Sequence, residues 1–527
     1  MIKTSNLTLR YKSSETPILR NVNLSVAAGE MVLVCGPTGS GKSTLLKCLN
    51  SLAPAFTGGT LTGSVSIDGQ ITSGTAPHEI AHLVGYVNQQ PEGGFVSETV
   101  EDELVFGMEQ LGVTPTDMAN NLARVAEIFD LAAVLDRRLS ELSGGQQQKV
   151  AIAAAVAAGQ KVLLLDEPTS ALSPSTAAEL LSLLKKLSTD EGITVILVEH
   201  RIERVLELVD SVVMVHGDGS VTQGDKTTQF SDSRCAPPLI ELSQKLGWTP
   251  VATDVSEARN HWRESNPKFH PRVALTPNPE IALSVRELDV NYGLESAVSG
   301  ATFDLPFGSI SALMGQNGAG KTSLVSAIRD PKLISSGTVI LGERSTTDLS
   351  LQELLRAVTM VPQKASDLLF LNSVGKELQE SDNFGGLAAG STARLLTRLN
   401  GRLDPNQHPR DLSAGQKLSL VLAMQLANGA RVLLLDEPTR GLDYFAKRQL
   451  AEQLKSLQAS GACILVASHD VEFIAQIADR VLLVDQGKLI QDCAPEDLLG
   501  FEKPFETQIA QVSESPDLIS ISQVVEL

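Results

Sequence analysis

The chain has 527 residues, more than one ordinary domain holds, and its 42% hydrophobic and 20% charged residues are the make-up of a soluble globular protein. With 43 basic and 62 acidic residues the formal net charge is −19, which disfavours nucleic acid and anionic lipid as partners and favours a basic protein surface. Five cysteines, an odd number without a Cys-x-x-Cys pair, argue against a disulfide framework or a zinc site and for a reduced cytosol.

The start, MIKTSNLTLR, has no apolar run of the kind an export signal needs. Further along, MVLVC leads into GPTGSGKST at Gly36. LSGGQ follows at Leu142, LLLDEPTSALS runs from Leu163 to Ser173, and VILVEH ends at His200. The series then returns as GQNGAGKTS at Gly315, LSAGQ at Leu412, LLLDEPTRGLD at Leu433 and ILVASH ending at His469. Four signals repeat in one order at offsets of 269 to 279 residues, which marks a duplicated domain. MVLVC, KVLLL and ITVILV are apolar on consecutive positions, as strands of a mainly parallel α/β sheet buried on both faces would be. The longest apolar stretch, near Val150–Leu165, is interrupted by Gly159, Gln160 and Lys161 and falls short of the roughly 20 residues a membrane helix needs. It predicts a helix followed by a buried strand.

These patterns divide the chain into a first domain over 1–230, a connecting segment over 231–280, a second domain over 281–500 and a tail over 501–527. The connecting segment holds seven of the 24 prolines, both tryptophans (Trp248 and Trp262) and a helical pattern, PPLIELSQKLG. A flexible linker would lack tryptophan, so part of it is expected to pack on a domain.

G-x-x-x-x-G-K-S/T occurs as Gly36, Gly41, Lys42 and Ser43 and again as Gly315, Gly320, Lys321 and Thr322. Each copy follows a predicted strand and precedes a helical pattern, the context this phosphate loop needs. Its glycines, Gly39 and Gly318 included, let backbone N–H groups wrap phosphates, and the helix start adds positive dipole. Lys42 and Lys321 would reach the β and γ phosphates of ATP, Ser43 and Thr322 would give a hydroxyl to Mg2+, and Thr44 and Ser323 are counted with the same site. Two matches in matching context leave little room for a chance Gly-rich turn.

The strands of LLLDEP end in acid pairs. Ligands of open α/β sheets sit at the carboxyl ends of strands, so the loop, the acids and the late histidine can converge. Asp166 and Asp436 would hold Mg2+, and Glu167 and Glu437 would polarise the attacking water. A lone Asp-Glu would read as a solvated turn; after two phosphate loops it does not. His200 and His469, two of only eight histidines and at equivalent places, are expected on the γ-phosphate or the water. Tyr11 and Tyr292 precede the two loops at similar distances and are expected to stack on adenine, though ordinary partly buried tyrosines would look the same.

Ser-x-Gly-Gln before a helix predicts a capping box with Ser143 or Ser413 as N-cap and Gln146 or Gln416 at N3. That leaves Gly145 and Gly415 unexplained, and a capped helix start can also receive an anion.

The phosphate loop, LSGGQ, LLLDEP and the late histidine together resemble the nucleotide-binding domain of ABC ATPases, in both copies and over nearly the whole chain. The resemblance implies two tandem P-loop domains, each with a RecA-like parallel core and a helical signature subdomain. It also implies two ATPs held head to tail, each between one domain's loop and the other's signature. Lys42, Asp166, Glu167 and His200 would then face Ser413, Gly415 and Gln416. Lys321, Asp436, Glu437 and His469 would face Ser143, Gly144, Gly145 and Gln146. Gln89 and Gln363 are expected on Mg2+. Two departures stand out: Ala414 replaces a signature glycine, and Ser173 replaces the acid that Asp443 keeps.

The segment QQPEGGFVSETVEDELVFGMEQLG after Gln89 is similar to the coupling segment of energy-coupling-factor importers, and PPLIELSQKLG looks like the C-terminal extension of their ATPases. In the second copy Asp367 and Phe370 fit that pattern, and the rest is looser. The resemblance implies a peripheral ATPase on the cytoplasmic face of a membrane. Its partners would be a polytopic coupling subunit bearing arginine helices and a substrate-binding membrane subunit. The cargo would be a vitamin, a vitamin precursor or a metal such as cobalt. A tandem ATPase of another importer class, or a soluble ribosome-acting tandem protein, remains the alternative. A DNA-repair ATPase would need zinc cysteines or a coiled-coil insertion, and only 106 residues separate Gly36 from Leu142.

Overall fold

A computed structural model describes residues 1–12, 14–170, 172–230, 236–272, 280–293, 295–400 and 403–525. Cys235 lies outside the described residues. The chain divides into two units, Met1–Ile240 and Glu241–Leu527.

In the first unit the runs read as buried strands are strands. Met31–Cys35, Val162–Asp166 and Thr194–Val198 are buried at every position. They lie in a six-stranded sheet ordered Val221–Gly224, Ser211–Val215, Met31–Cys35, Thr194–Val198, Val162–Asp166, Val84–Val87. All neighbours run parallel except Val221–Gly224, which pairs antiparallel with Ser211–Val215. β-branched and leucine side chains on both faces suit a sheet covered on both sides.

A second sheet of four antiparallel strands, ordered Leu19–Val26, Ile2–Arg10, Thr60–Ile67, Gln70–Ile71, was not expected from the sequence. Its strands alternate buried and exposed residues, as one-faced strands do. Register shifts at Thr4–Leu7 and Leu7–Leu9 blur that alternation. The helices Val100–Gln110, Pro115–Ile128 and Gly144–Ala157 make up a helical part, and the last leads directly into the strand Val162–Asp166, as predicted.

The second unit repeats this plan. Its six-stranded sheet is ordered Val358–Val361, Val432–Asp436, Cys463–Ala467, Ile310–Met314, Arg480–Asp485, Lys488–Cys493. Its antiparallel sheet is ordered Glu295–Pro306, Ile281–Tyr292, Ser336–Leu341, Arg344–Ser345. Val374–Gly385, Ser391–Asn400 and Ala414–Ala427 form the helical part.

The predicted helix in PPLIELSQKLG is present as Pro238–Lys245. The division between the two units, at Ile240 and Glu241, falls inside this helix. Trp248 and Trp262 of the connecting segment are buried. The helix Val255–Ser265 packs on the tail helix Gln508–Ser513, with Arg259 donating to the Gln511 carbonyl at 2.8 Å and Arg263 paired with Glu514 at 2.9 Å. The tail that the sequence left unread is therefore half of a small layer whose other half is the connecting segment. No helix among the described residues is long and apolar enough to cross a membrane.

Candidate functional site

Met31–Cys35 is flanked on each side by a parallel strand, so the chain leaves its carboxyl end at the point where strand order reverses. Gly36 takes φ 140°, and a Cβ there would stand 2.1 Å from the Val215 carbonyl oxygen. Gly315 repeats this with φ 152° and a 2.2 Å approach to the Val484 carbonyl. Only glycine passes so close to a neighbouring backbone. Gly41 and Gly320, both at positive φ, start the helices Lys42–Leu49 and Lys321–Arg329. Lys42 Nζ donates to the Gly36 and Pro37 carbonyls at 2.9 Å, and Lys321 Nζ to those of Gly315 and Gln316 at 2.8 and 2.9 Å. Each lysine thus lies buried inside the curl of its loop, and burial pulls the Lys321 amine below its ordinary range.

The acid pairs stand beside these loops. Ser43 Oγ donates to Asp166 Oδ1 at 3.0 Å, and the Thr322 side chain, at the equivalent place, acts to lower the Asp436 carboxyl. Burial pushes both aspartic carboxyls above the usual range, and the neighbouring glutamate adds to the shift. Asp436 is 2% exposed, and its Oδ1 has no hydrogen-bond partner. A buried carboxylate oxygen left without a donor, beside a hydroxyl, is a donor set that fits a divalent cation.

Glu167 and Glu437 follow at φ 52° and 48°, a left-handed conformation that is costly for a glutamate. Each is held by its backbone N–H, to the Val198 carbonyl at 3.0 Å and to the Ala467 carbonyl at 2.8 Å. The histidines meet these acids: His200 Nε2 is 3.0 Å from Glu167 Oε1, and His469 Nδ1 is 2.8 Å from Glu437 Oε2. Opposite ring nitrogens face the glutamate in the two copies.

The two sites differ further. Gln89 donates its amide to Glu167 Oε2 at 2.7 Å, while Gln363, exposed at the equivalent strand end, makes no such bond to Glu437. Tyr86 donates to Asp166 Oδ2 at 3.4 Å, and its own phenol is pushed up, by burial first and by the Asp166 charge second. Tyr11 hydrogen-bonds Thr44 at 3.0 Å and so is tied to the helix that follows its loop, whereas Tyr292 is half exposed.

Both signatures form the predicted capping boxes, Ser143 with Gln146 and Ser413 with Gln416. The geometry also explains a residue that the cap left over. A Cβ on Gly145 would meet Thr176 Cγ2 at 2.8 Å, while a Cβ on Gly144 would meet nothing within 4 Å. Ala414 therefore fits its helix without a clash. Ser173 and Asp443 prove to be N-caps as well, accepting from Thr176 N and Ala446 N.

Two cassettes, each gathering a phosphate loop, an acid pair and a histidine at the carboxyl ends of parallel strands, agree with the sequence comparisons. The ABC transporter family profile matches residues 19–170 and 298–440, more than half of the chain. The chain belongs to the ABC transporter family. It is a tandem ABC ATPase that binds ATP, with two α/β P-loop domains. A putative ABC transporter ATP-binding protein of Streptomyces avermitilis is 37% identical over the full length of both chains. A putative HMP/thiamine import ATP-binding protein of Bacillus subtilis is 29% identical over 95% of this chain and 93% of its own. Among solved structures, an archaeal ribosome recycling factor in complex with a ribosomal stalk protein has a TM-score of 0.59. It covers 93% of this ABC ATPase and 90% of its own chain at 20% identity, which is a likeness of fold.

Proposed function

We propose that this ABC ATPase is the ATP-hydrolysing subunit of an energy-coupling-factor importer. It would drive uptake of a vitamin, a vitamin precursor or a metal ion through separate membrane subunits from the cytoplasmic face. The observation that carries the reading is the run from Gln89 to Glu103. At one end Gln89 bonds Glu167. At the other, Glu103 is buried in the helix Val100–Gln110 and its carboxylate accepts from Val96 N at 3.0 Å and Ser97 N at 2.9 Å. An exposed segment is thereby anchored on one side to the acid at the site and on the other to the helical part. Glu377 accepts from Leu371 N in the second copy and supports Phe370, which is 81% exposed. Exposed Glu101 and Asp102 give the helix start an acidic face suited to basic partner helices. The Bacillus subtilis relative, a putative HMP/thiamine import ATP-binding protein, supports the same class.

In this reading Lys42 and Lys321 exchange their loop carbonyls for ATP phosphates. Glu167 and Glu437 orient the attacking water, and His200 and His469 contact the γ-phosphate. Ser143, Gly145 and Gln146, and in turn Ser413, Gly415 and Gln416, complete the opposite domain's site. Tyr11 and Tyr292 stack on adenine. Ser43, Gln89 and Asp166 would hold one Mg2+, and Thr322, Gln363 and Asp436 the other. When bound, that ion neutralises charge on the phosphate oxygens.

The experiment is purification of the tagged chain from solubilised membranes. Co-purification with a polytopic membrane protein is expected. Sedimentation with ribosomes and no membrane partner would contradict the import reading.

A further inference from the structure

Glu199 lies between the strand Thr194–Val198 and His200, and it is 3% exposed. Its Oε1 accepts from the Thr169 backbone N–H at 2.9 Å. Thr169 is itself 1% exposed and stands two residues after Glu167, in the turn closed by Ser170 N on the Glu167 carbonyl at 3.2 Å. Consecutive residues at one strand end therefore grip the turn: Val198 O takes the Glu167 N–H, and Glu199 takes the Thr169 N–H. The turn needs a grip, because Glu167 sits at positive φ.

The second site has the same strained glutamate without this grip. Ser468 occupies the equivalent place, fully buried, and its Oγ accepts from Asp470 N at 3.1 Å, serving its own chain end rather than the turn at Thr439.

We propose that Glu199 is a positioning residue of the first site, fixing the turn Glu167–Thr169 and through it the Glu167 carboxylate, and that the second site works without one. The inference rests on the assignment of Glu167 to water activation. Charge supports it. Burial pushes the Glu199 carboxyl up to about 7, the Glu167 charge adds to the shift, and Arg204 opposes it. Below that value the neutral acid grips the turn without repelling Glu167. Above it a second buried negative charge stands behind Glu167 and beside His200.

The test uses the complex purified with its membrane partner. Glu199→Ser installs the residue of the second site. In a Glu437→Gln background, where only the first site turns over, it is expected to lower kcat by roughly tenfold or more with KM for ATP little changed, since misplacement by an ångström can cost up to about a hundredfold. Glu199→Gln keeps the acceptor and removes the charge. With the wild-type residue, first-site kcat is expected to fall as pH rises through 7, and Glu199→Gln is expected to abolish that fall. In a Glu167→Gln background neither change at Glu199 should alter turnover at the second site, which a global folding defect would lower. An unaltered kcat in Glu199→Ser, or a wild-type pH profile in Glu199→Gln, overturns the positioning role. Full activity in Glu167→Gln alone overturns instead the assignment on which it rests.

Discussion

Gln89 donates its side-chain amide to the Glu167 carboxylate at 2.7 Å. The bond connects the acid proposed to activate water with the exposed segment proposed to meet a membrane partner, and the second site has no counterpart of it among the described residues. Gln89→Glu would set two carboxylates against each other at that distance, whereas Gln363→Glu would not. ATPase of the assembled complex at pH 7 should fall by about tenfold or more in the first variant, each close like-charge contact costing on the order of 1–4 kcal/mol, and by much less in the second. Equal losses would remove the asymmetry.

Ser173 and Asp443 both cap the helix that follows them, and serine and aspartate are nearly equal N-caps. Ser173→Asp should leave thermal stability within about 0.5 kcal/mol, while Ser173→Ala should cost about 1 kcal/mol. With the fold unchanged, any change in ATPase rate in Ser173→Asp belongs to chemistry or coupling. We expect such a change in a Glu167→Gln background, where the proposed turnover rests on Lys321 and Glu437. An unchanged rate would make the exchange neutral.

Burial raises the folded pKa of Glu199 to about 7 from an ordinary value near 4.5. A raised acid contributes stability that is full below the unfolded value and is lost as pH rises through the folded one. The wild-type chain should therefore lose stability between about pH 4.5 and 7, by an amount on the order of 3 kcal/mol once Glu199 is ionised. Glu199→Gln removes that slope. Denaturant midpoints from pH 5 to 8 should diverge in favour of the variant as pH rises. Parallel curves would show that Glu199 does not titrate in this range.

Both tryptophans of the chain are buried in the connecting segment, Trp262 in the helix that packs on the tail helix and Trp248 stacked on His261 of that same helix. Intrinsic fluorescence therefore reports on that layer alone. Truncation after residue 506 should shift tryptophan emission to the red. Glu514→Ala, which removes partly exposed pairs with Arg259 and Arg263, should change stability little and leave emission unshifted. An unshifted spectrum after truncation would show that the tail does not cover Trp262.

Much of the site was legible because its residues serve local geometry that sequence spacing encodes. The phosphate loops need glycine where Gly36 and Gly315 graze a carbonyl, and the capping boxes need serine and glutamine three residues apart. Asp166 and Glu167 end a run of buried strand residues, a pattern that by itself places them at the carboxyl end of a strand. What escaped were relations across the fold. Gly145 answers to Thr176, thirty-one residues on, and Glu199 answers to Thr169 across two strands. The left-handed backbone at Glu167 and Glu437 has no residue signature, since glutamate is not a type that favours it. The antiparallel sheets were missed because register shifts and short strands weaken their alternation, and the tail because its partner lies some 250 residues earlier.

The central claim is that both cassettes turn over ATP through the glutamate that follows their strand. Its most direct measurement is the ATPase rate of the assembled complex carrying Glu167→Gln, Glu437→Gln or both, with ATP binding checked in parallel. Each single variant should lose a different part of the activity while still binding nucleotide, and the double variant should fall by a hundredfold or more, about 2.7 kcal/mol in barrier. Full activity in both single variants, or substantial turnover in the double variant, would contradict it.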